Sequence, residues 1–290
     1  MKVAIFGSPF QSHKLNQIWS VFDALHNLDA EILVCKTFYD FLTSTLVNPP
    51  VINGVIDGED FSADFALSIG GDGTYLRTAH SIGNRDIPIL GINTGRLGFL
   101  AEVDAVEIEA VIMDLYKRNY KIAHLNQLHL SINGKSFKEY PCALNEIAIL
   151  KKDSSSMINI HAFVNGGYLN GYQADGLLIA TPTGSTAYAL SVGGPIIMPD
   201  CNSMLIAPVA PHNLTARPLV IEDSAVIDLE VESRSQNFLV SLDGCSFTMP
   251  CNVKLRITKA EYPVKAIKRQ GHTFINTLRK KLMWGIDPRG

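Results

Sequence analysis

Short apolar runs alternate with helix-like segments through roughly the first 120 residues, and this alternation restricts the fold more than any other feature of the chain. Residues 2–6, 65–69 and 88–91 are compact apolar runs of the kind that form buried strands. Residues 14–28 instead place apolar side chains at helical spacing. Strands that alternate with helices predict crossover connections and a parallel sheet covered on both faces. We therefore predict an α/β domain over residues 1–121.

The second half of the chain has a different pattern, in which short strand-like runs are separated by turn signals such as the Asn-Gly pair at 133–134. One helix-like piece, residues 186–191, interrupts the strands, and residues 273–282 return to amphipathic helical spacing. We predict a mainly-β domain over 122–268. We also predict a C-terminal helical segment over 269–290 that packs back onto the first domain.

Charge and cysteine usage exclude several classes of protein. Lys and Arg total 25 against 28 Asp and Glu, a net charge of −3, which argues against a nucleic-acid-coating protein. No uninterrupted apolar stretch reaches the ~18 residues that span a bilayer, and the N-terminus lacks the features of a signal peptide. The five cysteines are odd in number and lack C-x-x-C spacing. We expect a soluble, reduced, cytoplasmic protein that binds neither membranes nor nucleic acid.

The first of three glycine-rich segments is Gly70-Gly71-Asp72-Gly73-Thr74, between a buried strand and a helix. Glycines let backbone N–H groups approach a phosphate closely, and the following helix N-terminus adds partial positive charge. An aspartate there would repel phosphate unless it binds a metal ion or takes a proton. The alternative is a tight turn with Asp72 as the helix cap. The spacing matches neither the P-loop nor the dinucleotide fingerprint.

The other two glycine-rich segments cover residues 91–100 and 175–195. The first follows a strand, so it and the 70–74 loop both lie at carboxyl ends of parallel strands, where open α/β sheets bind ligands. The 175–195 segment runs from a strand into a Thr/Ser/Gly turn and a small-residue helix. Its hydroxyl and N–H groups suit phosphate or base edges, although a strand–turn–helix packed through small residues explains it equally well.

These motifs, taken together, resemble those of NAD kinases and cover nearly the whole chain. The GGDGT loop alone is shared with diacylglycerol kinases, sphingosine kinases and phosphofructokinases, whereas TPTGSTAYALSVGGP is much more specific to NAD kinases. The matching segments stand in the family's order: GGDGT at 70–74, INTGRLGFL at 92–100, NE at 145–146, the 175–195 segment, 207–211 with Arg217-Pro218, DG at 243–244, and LRKKLMWG at 278–285.

The resemblance implies that ATP, with a divalent metal ion such as Mg²⁺, phosphorylates the 2′-hydroxyl of the adenosine ribose of NAD to give NADP. It implies a nucleotide-binding first domain and an NAD-binding second domain, with NAD in the cleft between them, and a homodimer or homotetramer. Polyphosphate as donor, NADH as acceptor and feedback by NADP are left open. Two other functions also stay open: a lipid kinase with the same loop, and a dinucleotide sensor without turnover.

The resemblance also assigns site residues by position. Asp72 would be the catalytic residue beside the 2′-hydroxyl, as a late proton acceptor, an orienting group or a metal ligand. Without the resemblance, Glu146 is expected on the surface. The remaining implied positions are Gly70, Gly71, Gly73 and Thr74 for the phosphate loop; Gly73 and Arg77 along the dinucleotide; Asn145 and Glu146 for adenine and ribose; Thr186 and Ala187 for adenine; and Asp175, Tyr188, Ser191 and Ala210 for the remainder, including nicotinamide.

Three positions depart from the family pattern. Gln173 stands where a basic residue is frequent, an arginine is common near Ser156, and Cys245 replaces a frequent glutamine. These changes remove charge near the expected phosphate path. They concern affinity and donor choice rather than the class of reaction.

Overall fold

The structure is a computed structural model that describes residues 1–9, 14–58, 60–95, 98–104, 107–152, 156–271 and 273–283. The chain divides into two compact units. The first comprises Met1–His124 together with Val264–Gly290, and the second comprises Leu125–Pro263. Arg96 of the second glycine-rich segment and the tail residues 284–290 lie outside the described residues.

Strands and helices alternate through the first part of the chain. The strands are β1 Lys2–Gly7, β2 Glu31–Cys35, β3 Gly54–Ile56, β4 Phe65–Ile69, β5 Ile89–Asn93, β6 Val103–Asp104 and β7 Tyr120–Leu125. The helices are α1 Leu15–His26, α2 Lys36–Thr45, α3 Asp72–Ile82 and α4 Ile108–Tyr116.

Strands dominate the following 140 or so residues, after which one strand and one helix complete the first unit. The strands are β8 Leu128–Ile132, β9 Lys135–Ser136, β10 Cys142–Ala143, β11 Glu146–Lys151, β12 Ile158–Val164, β13 Gly167–Ala174, β14 Gly176–Ala180, β15 Ser203–Val209, β16 Leu219–Glu222, β17 Ile227–Glu232, β18 Asn237–Leu242, β19 Cys245–Pro250, β20 Leu255–Lys259 and β21 Val264–Arg269. The helices are a 3₁₀ turn Thr183–Thr186, α5 Tyr188–Ser191 and α6 Phe274–Leu282.

The sheet of the first unit has eight strands in the order β3-β2-β1-β4-β5-β21-β7, with β6 beside β5. The pairs from β3 through β5 are parallel, as are β5 with β21 and β5 with β6. Every residue of β4 and β5 is buried, as expected for central strands covered on both faces. The predicted α/β first domain with a parallel sheet is confirmed.

Neighbouring strands β4 and β5 bring two of the glycine-rich segments to one sheet edge. They pair in parallel register from Ala66 with Ile89 to Ile69 with Ile92. Just beyond this register, the Gly70 N–H donates to the Ile92 carbonyl at 2.9 Å. Because both strands end here, the loop that carries Asp72 lies beside the chain that leaves β5.

The second unit consists of two antiparallel sheets. The larger has seven strands in the order β10-β8-β20-β17-β12-β13 with β9 beside β8, and the other has six in the order β16-β15-β14-β11-β18-β19. Side chains from both sheets, such as Ile160 and Leu229 of one and Ile147 and Val240 of the other, form a single buried core. The predicted mainly-β second domain is confirmed.

Two local features differ from the sequence expectation. The predicted helix at 186–191 is a 3₁₀ turn followed by the single turn of α5, because Ala187 between them has a non-helical backbone (φ −100°, ψ −128°). Residues Val264–Arg269 join the first unit's parallel sheet beside β5, where Ala266 pairs with Ile89.

Within the described part of the chain, no helix combines the length and apolarity needed to cross a bilayer.

Candidate active site

Asp72 is the first residue of α3, directly after the two glycines that follow β4. Gly71 is the N-cap, and no side chain caps the helix. The Asp72 carboxylate instead accepts hydrogen bonds from another segment of the first unit, so the alternative in which Asp72 caps its own helix is wrong. Its position in the first turn still suits a carboxylate, since the helix dipole favours negative charge there.

Three consecutive backbone N–H groups hold the carboxylate. Asp72 Oδ2 accepts from Phe99 N at 2.9 Å, and Oδ1 accepts from Leu100 N at 2.9 Å and Ala101 N at 3.0 Å. A Cβ at Gly98 would overlap the carboxylate, so only glycine allows this close approach. The apolar residues of the second glycine-rich segment thus build an anion cradle rather than a solvated loop.

A lysine from the C-terminal helix completes the cradle. Lys281 Nζ lies 3.2 Å from Asp72 Oδ2 and 4.4 Å from the centre of the Phe99 ring. The Phe99 ring also packs against the ring of Phe274 at the start of α6, with centroids 5.9 Å apart. These contacts confirm the predicted return of a C-terminal helix to the first domain.

The pKa of Asp72 is lowered. Burial acts to raise it, but the hydrogen bonds from Ala101, Phe99 and Leu100 and the charge of Lys281 together outweigh burial. The carboxylate is therefore ionised across the neutral range. It is equipped to accept a hydrogen bond from an approaching hydroxyl group, and it is a weak base.

The glycines around Asp72 leave room for a ligand. Among the described residues, a Cβ at Gly71 would meet no atom within 4 Å, and one at Gly73 would meet only Arg77 Nη1 at 3.9 Å. Arg77 is exposed and donates to the Thr74 hydroxyl at 3.3 Å. The backbone from Gly71 to Gly73 is thus open to a phosphate, with a guanidinium one helical turn away.

In the second unit, Asp243 organises the start of β11. Its carboxylate accepts the backbone N–H groups of Leu144 and Asn145 at 2.7 Å each and of Glu146 at 3.2 Å. Asp243 occupies the hairpin turn between β18 and β19 with φ of +49°, a conformation that Asp tolerates. Burial raises its pKa to about 6, although the three hydrogen bonds oppose that rise.

Glu146 is buried, with 9% of its surface exposed, so the expectation of a surface carboxylate is wrong. None of the residues that the structure describes forms a hydrogen bond with its Oε2 atom. Burial raises the pKa of Glu146 to about 7, the charge of Asp243 adds to the rise, and a hydrogen bond from the Tyr188 backbone opposes it. An unpartnered buried carboxyl oxygen is suited to a polar ligand group such as a sugar hydroxyl.

The structure groups the other predicted residues of this unit at the two ends of β14. Just after the last residue of β14, the Thr181 N–H donates to the Asn145 carbonyl. A Cβ at Gly184 would overlap the same carbonyl, so the chain passes close to Asn145 here. The next predicted residues, Thr186, Ala187 and Tyr188, therefore lie close to Asn145 and Glu146. Before its first residue, Asp175 pairs with Lys151 at 2.6 Å and donates its N–H to Val209, the neighbour of Ala210. Ser191 ends α5 and is exposed.

Glu146→Gln is expected to gain stability over wild type as the pH rises from about 5 to about 8. Glu146 ionises near pH 7 when folded but near 4.5 in its ordinary environment, so the folded state holds an extra proton between these values. The contribution of Glu146 to wild-type stability therefore falls as the pH rises through that window, whereas glutamine binds no such proton. In urea denaturation, the free energy of unfolding of Glu146→Gln minus that of wild type should increase by about 2–3 kcal/mol between pH 5 and pH 8.

The control for this prediction is Glu222→Gln, which removes an exposed carboxylate from strand β16 of the same sheet. Its unfolding free energy should keep a constant difference from wild type over the same pH range. A constant difference for Glu146→Gln as well would contradict a buried, proton-binding Glu146.

Sequence reasoning missed Lys281 and Lys151 as partners of site carboxylates. Lys281 lies 209 residues from Asp72, and no local signal connects them.

Of the three departures from the family pattern, Gln173 is exposed on β13 and Cys245 begins β19. Ser156 is partly buried, and its neighbours 153–155 lie outside the described residues.

Family models and close relatives agree on what this chain is similar to. The model of the ATP-NAD kinase N-terminal domain matches residues 40–120, and that of the ATP-NAD kinase C-terminal domain matches residues 144–269. The NAD kinase of Bacteroides fragilis is 52% identical over 289 residues, 100% of both chains. The NAD kinase of Porphyromonas gingivalis is 45% identical over 288 residues, 99% of both.

Two solved structures share the fold. Yeast NADH kinase complexed with NADH gives a TM-score of 0.89 at 22% identity, covering 99% of this chain and 88% of that one. An NAD kinase from Archaeoglobus fulgidus in complex with ATP gives a TM-score of 0.77 at 26% identity, covering 98% and 99%. With both family models matched in order and relatives identical at up to 52% over the full length, the chain belongs to the NAD kinase family, whose members phosphorylate NAD to NADP.

Proposed function

We propose that the chain transfers the γ-phosphoryl group of ATP to the 2′-hydroxyl of the adenosine ribose of NAD, with Asp72 beside that hydroxyl. The O2′–P bond forms as the bond between the γ-phosphorus and ADP breaks, and the hydroxyl proton passes to the Asp72 carboxylate and then to water. The observation that carries the proposal is the Asp72 carboxylate, held by three backbone N–H groups at the edge of an open glycine loop.

The lowered pKa of Asp72 favours one of the roles left open by the sequence. A general base works best when its pKa lies near the working pH, which requires a raised carboxyl pKa. Asp72 instead suits a hydrogen-bond acceptor that orients the ribose oxygen and takes its proton late. Phosphoryl transfer relies mainly on such positioning and on charge stabilisation.

A divalent ion held by the protein does not fit the described residues. Among them, no group of three or more His, Cys, Asp or Glu side chains could hold a metal ion. Asp72 already accepts four donors, one of them a lysine ammonium. We propose that a divalent ion enters with the phosphates of ATP, which supply the oxygen ligands that Mg²⁺ prefers.

We further propose that the second unit binds the dinucleotide through the predicted residues. The unpartnered Glu146 carboxyl oxygen supports a hydroxyl contact, and the neighbouring Asn145 supports a contact to adenine or ribose. Thr186, Ala187 and Tyr188 lie close to that pair. Asp175, Ser191 and Ala210 would contact the remainder of NAD.

Gly71→Ala is expected to raise the KM for ATP or NAD without loss of stability. The added methyl would enter open space, and Gly71 has φ of −97° and ψ of −172°, which alanine adopts readily. The same methyl would keep a phosphate from the backbone N–H groups of the loop. Steady-state kinetics and thermal melting measure the two effects.

The control is Gly167→Ala at the start of β13 in the second unit, where, in the described part of the chain, a Cβ would meet only the Val164 carbonyl at 3.4 Å. It should leave both KM and melting temperature unchanged. If Gly71→Ala also leaves both KM values unchanged, the 70–74 loop does not bind phosphate.

We also propose that the protein is a cytoplasmic homodimer or homotetramer. Edge strand β16 supports self-association, because it pairs on one side with β15 and leaves Leu219 and Val220 38% and 46% exposed. Light scattering on the purified protein measures its mass. A monomeric mass at micromolar concentration would contradict this part of the proposal.

The direct test of the proposed function is NADP formation by the purified protein with NAD, ATP and Mg²⁺, detected with an NADP-specific dehydrogenase. Parallel reactions with polyphosphate, with NADH and with diacylglycerol distinguish donor, acceptor and lipid-kinase activity. Calorimetric binding of NAD with no NADP formed under any of these conditions would instead identify a sensor and overturn the proposal.

A further inference from the structure

The four hydrogen-bond donors around Asp72 fall into two kinds. Each carboxylate oxygen accepts two: Oδ1 takes the N–H groups of Leu100 and Ala101, and Oδ2 takes the Phe99 N–H and the Lys281 ammonium. The three backbone donors belong to residues that are at most 8% exposed. They form a fixed half of the cradle.

Lys281 is the exchangeable donor. Its side chain is 30% exposed and reaches Asp72 from the last turn of α6 on a flexible four-carbon stem. Its ammonium also lies over the Phe99 ring, at 4.4 Å, so it has a second favourable contact when it leaves the carboxylate. Any hydroxyl that approaches Oδ2 must therefore take the place of Lys281, because the backbone donors cannot move without loss of the segment's buried packing.

We propose that Lys281 is a positioning residue for this reaction: it orients Asp72 before the substrate binds and then passes its place at Oδ2 to the acceptor hydroxyl. This inference rests on the proposed role of Asp72. After the exchange the ammonium remains over Phe99, where its positive charge still favours the ionised carboxylate.

Removal of Lys281 has a predictable effect on the pH dependence of the reaction. Lys281 on α6 faces the Asp72 carboxylate directly, and buried Tyr75 on α3 lies within the electrostatic reach of both Asp72 and Glu102. Glu102 is itself paired with Lys268 at 2.6 Å. The positive charge of Lys281 lowers the pKa of Asp72, so its loss raises that pKa. Activity that requires ionised Asp72 then begins to fall at a higher pH.

The test compares Lys281→Met and Lys281→Arg with wild type over a range of pH. Lys281→Met should lower kcat about 10-fold to 100-fold, with little change in the KM for NAD or ATP, because a misoriented group loses that much rate. The acid limb of kcat should move to higher pH, as expected when an opposite charge beside the carboxylate is removed. Lys281→Arg keeps the charge and should restore the limb.

Lys280→Met is the matched control, since it removes a neighbouring exposed lysine from the same helix. It should leave both kcat and the acid limb unchanged, which separates a role at Asp72 from a general effect on α6. If Lys281→Met melts at a clearly lower temperature than wild type, Lys281→Gln gives the same comparison on a shorter polar stem.

The inference is overturned if folded Lys281→Met or Lys281→Gln keeps the wild-type kcat and acid limb. That outcome differs from failure of the proposed function, in which wild type itself makes no NADP. It also differs from failure of the role of Asp72, in which wild type is active and an Asp72 variant stays active as well.

Discussion

The Asp72→Asn variant is expected to lose almost all NADP formation while it keeps the fold of the first unit. The amide presents one acceptor oxygen where the carboxylate presents two. Its NH₂ group faces either the Phe99 N–H together with Lys281, or the N–H groups of Leu100 and Ala101. It can neither take the hydroxyl proton nor align the ribose oxygen. We expect kcat to fall on the order of 10²–10⁴-fold, as for removal of a proton-accepting group, measured as NADP formed per enzyme.

Circular dichroism and calorimetric binding of NAD show whether the variant remains folded and binds its substrate. Asp64→Asn is a suitable control, because Asp64 also accepts a backbone N–H in the first unit, from Lys2 at 2.7 Å, but lies on the exposed side. It should keep the wild-type kcat. Substantial NADP formation by folded Asp72→Asn would remove Asp72 from the mechanism.

The Asp243→Ala variant is expected to show the largest loss of stability. Its carboxylate is the acceptor for the N–H groups of Leu144, Asn145 and Glu146, and alanine leaves all three without that partner. Each unsatisfied buried donor costs about 1–3 kcal/mol, so the free energy of unfolding should fall on the order of 3 kcal/mol or more. Alanine is also strained at φ of +49°. Urea denaturation at pH 8, above the pKa of about 6, measures the loss.

Asp243→Asn is the informative comparison for this prediction. Asparagine tolerates the same positive φ and retains one oxygen, which can still accept from Asn145 and Glu146. Its loss of stability should therefore be clearly smaller than that of alanine. Equal losses for the two variants would mean that backbone conformation or packing, rather than the three hydrogen bonds, explains the role of Asp243.

Much of the fold could be predicted because it depends on local patterns. The buried runs that became β4 and β5, and the helical spacing that became α1, are repeated features of neighbouring residues. The glycines around Asp72 likewise predict a close backbone approach from the sequence alone. The structure adds that Gly98 approaches the Asp72 carboxylate for the same steric reason.

The remaining features depend on contacts between distant parts of the chain. Lys281 resembles any lysine in the last turn of an amphipathic helix, where it also complements the helix dipole. Glu146 reads as an ordinary exposed glutamate in the sequence, but in the structure it is buried at the start of β11, between β14 and β18. Strand β21 carries the same alternating pattern as the strands before it. Its place beside β5, where Ala266 pairs with Ile89, is a contact between distant parts of the chain that its composition does not indicate.

The position of β21 delays completion of the first sheet during synthesis. This strand lies between β5 and β7 in the first sheet, yet the ribosome makes it only after the whole second unit, Leu125–Pro263. Because domains fold during synthesis as their residues emerge, a nascent chain can complete its second unit while the first still lacks a strand. Lys281, which contacts Asp72, is then made more than 200 residues after it. The set of hydrogen bonds around Asp72 is thus completed only after the whole second unit has been made.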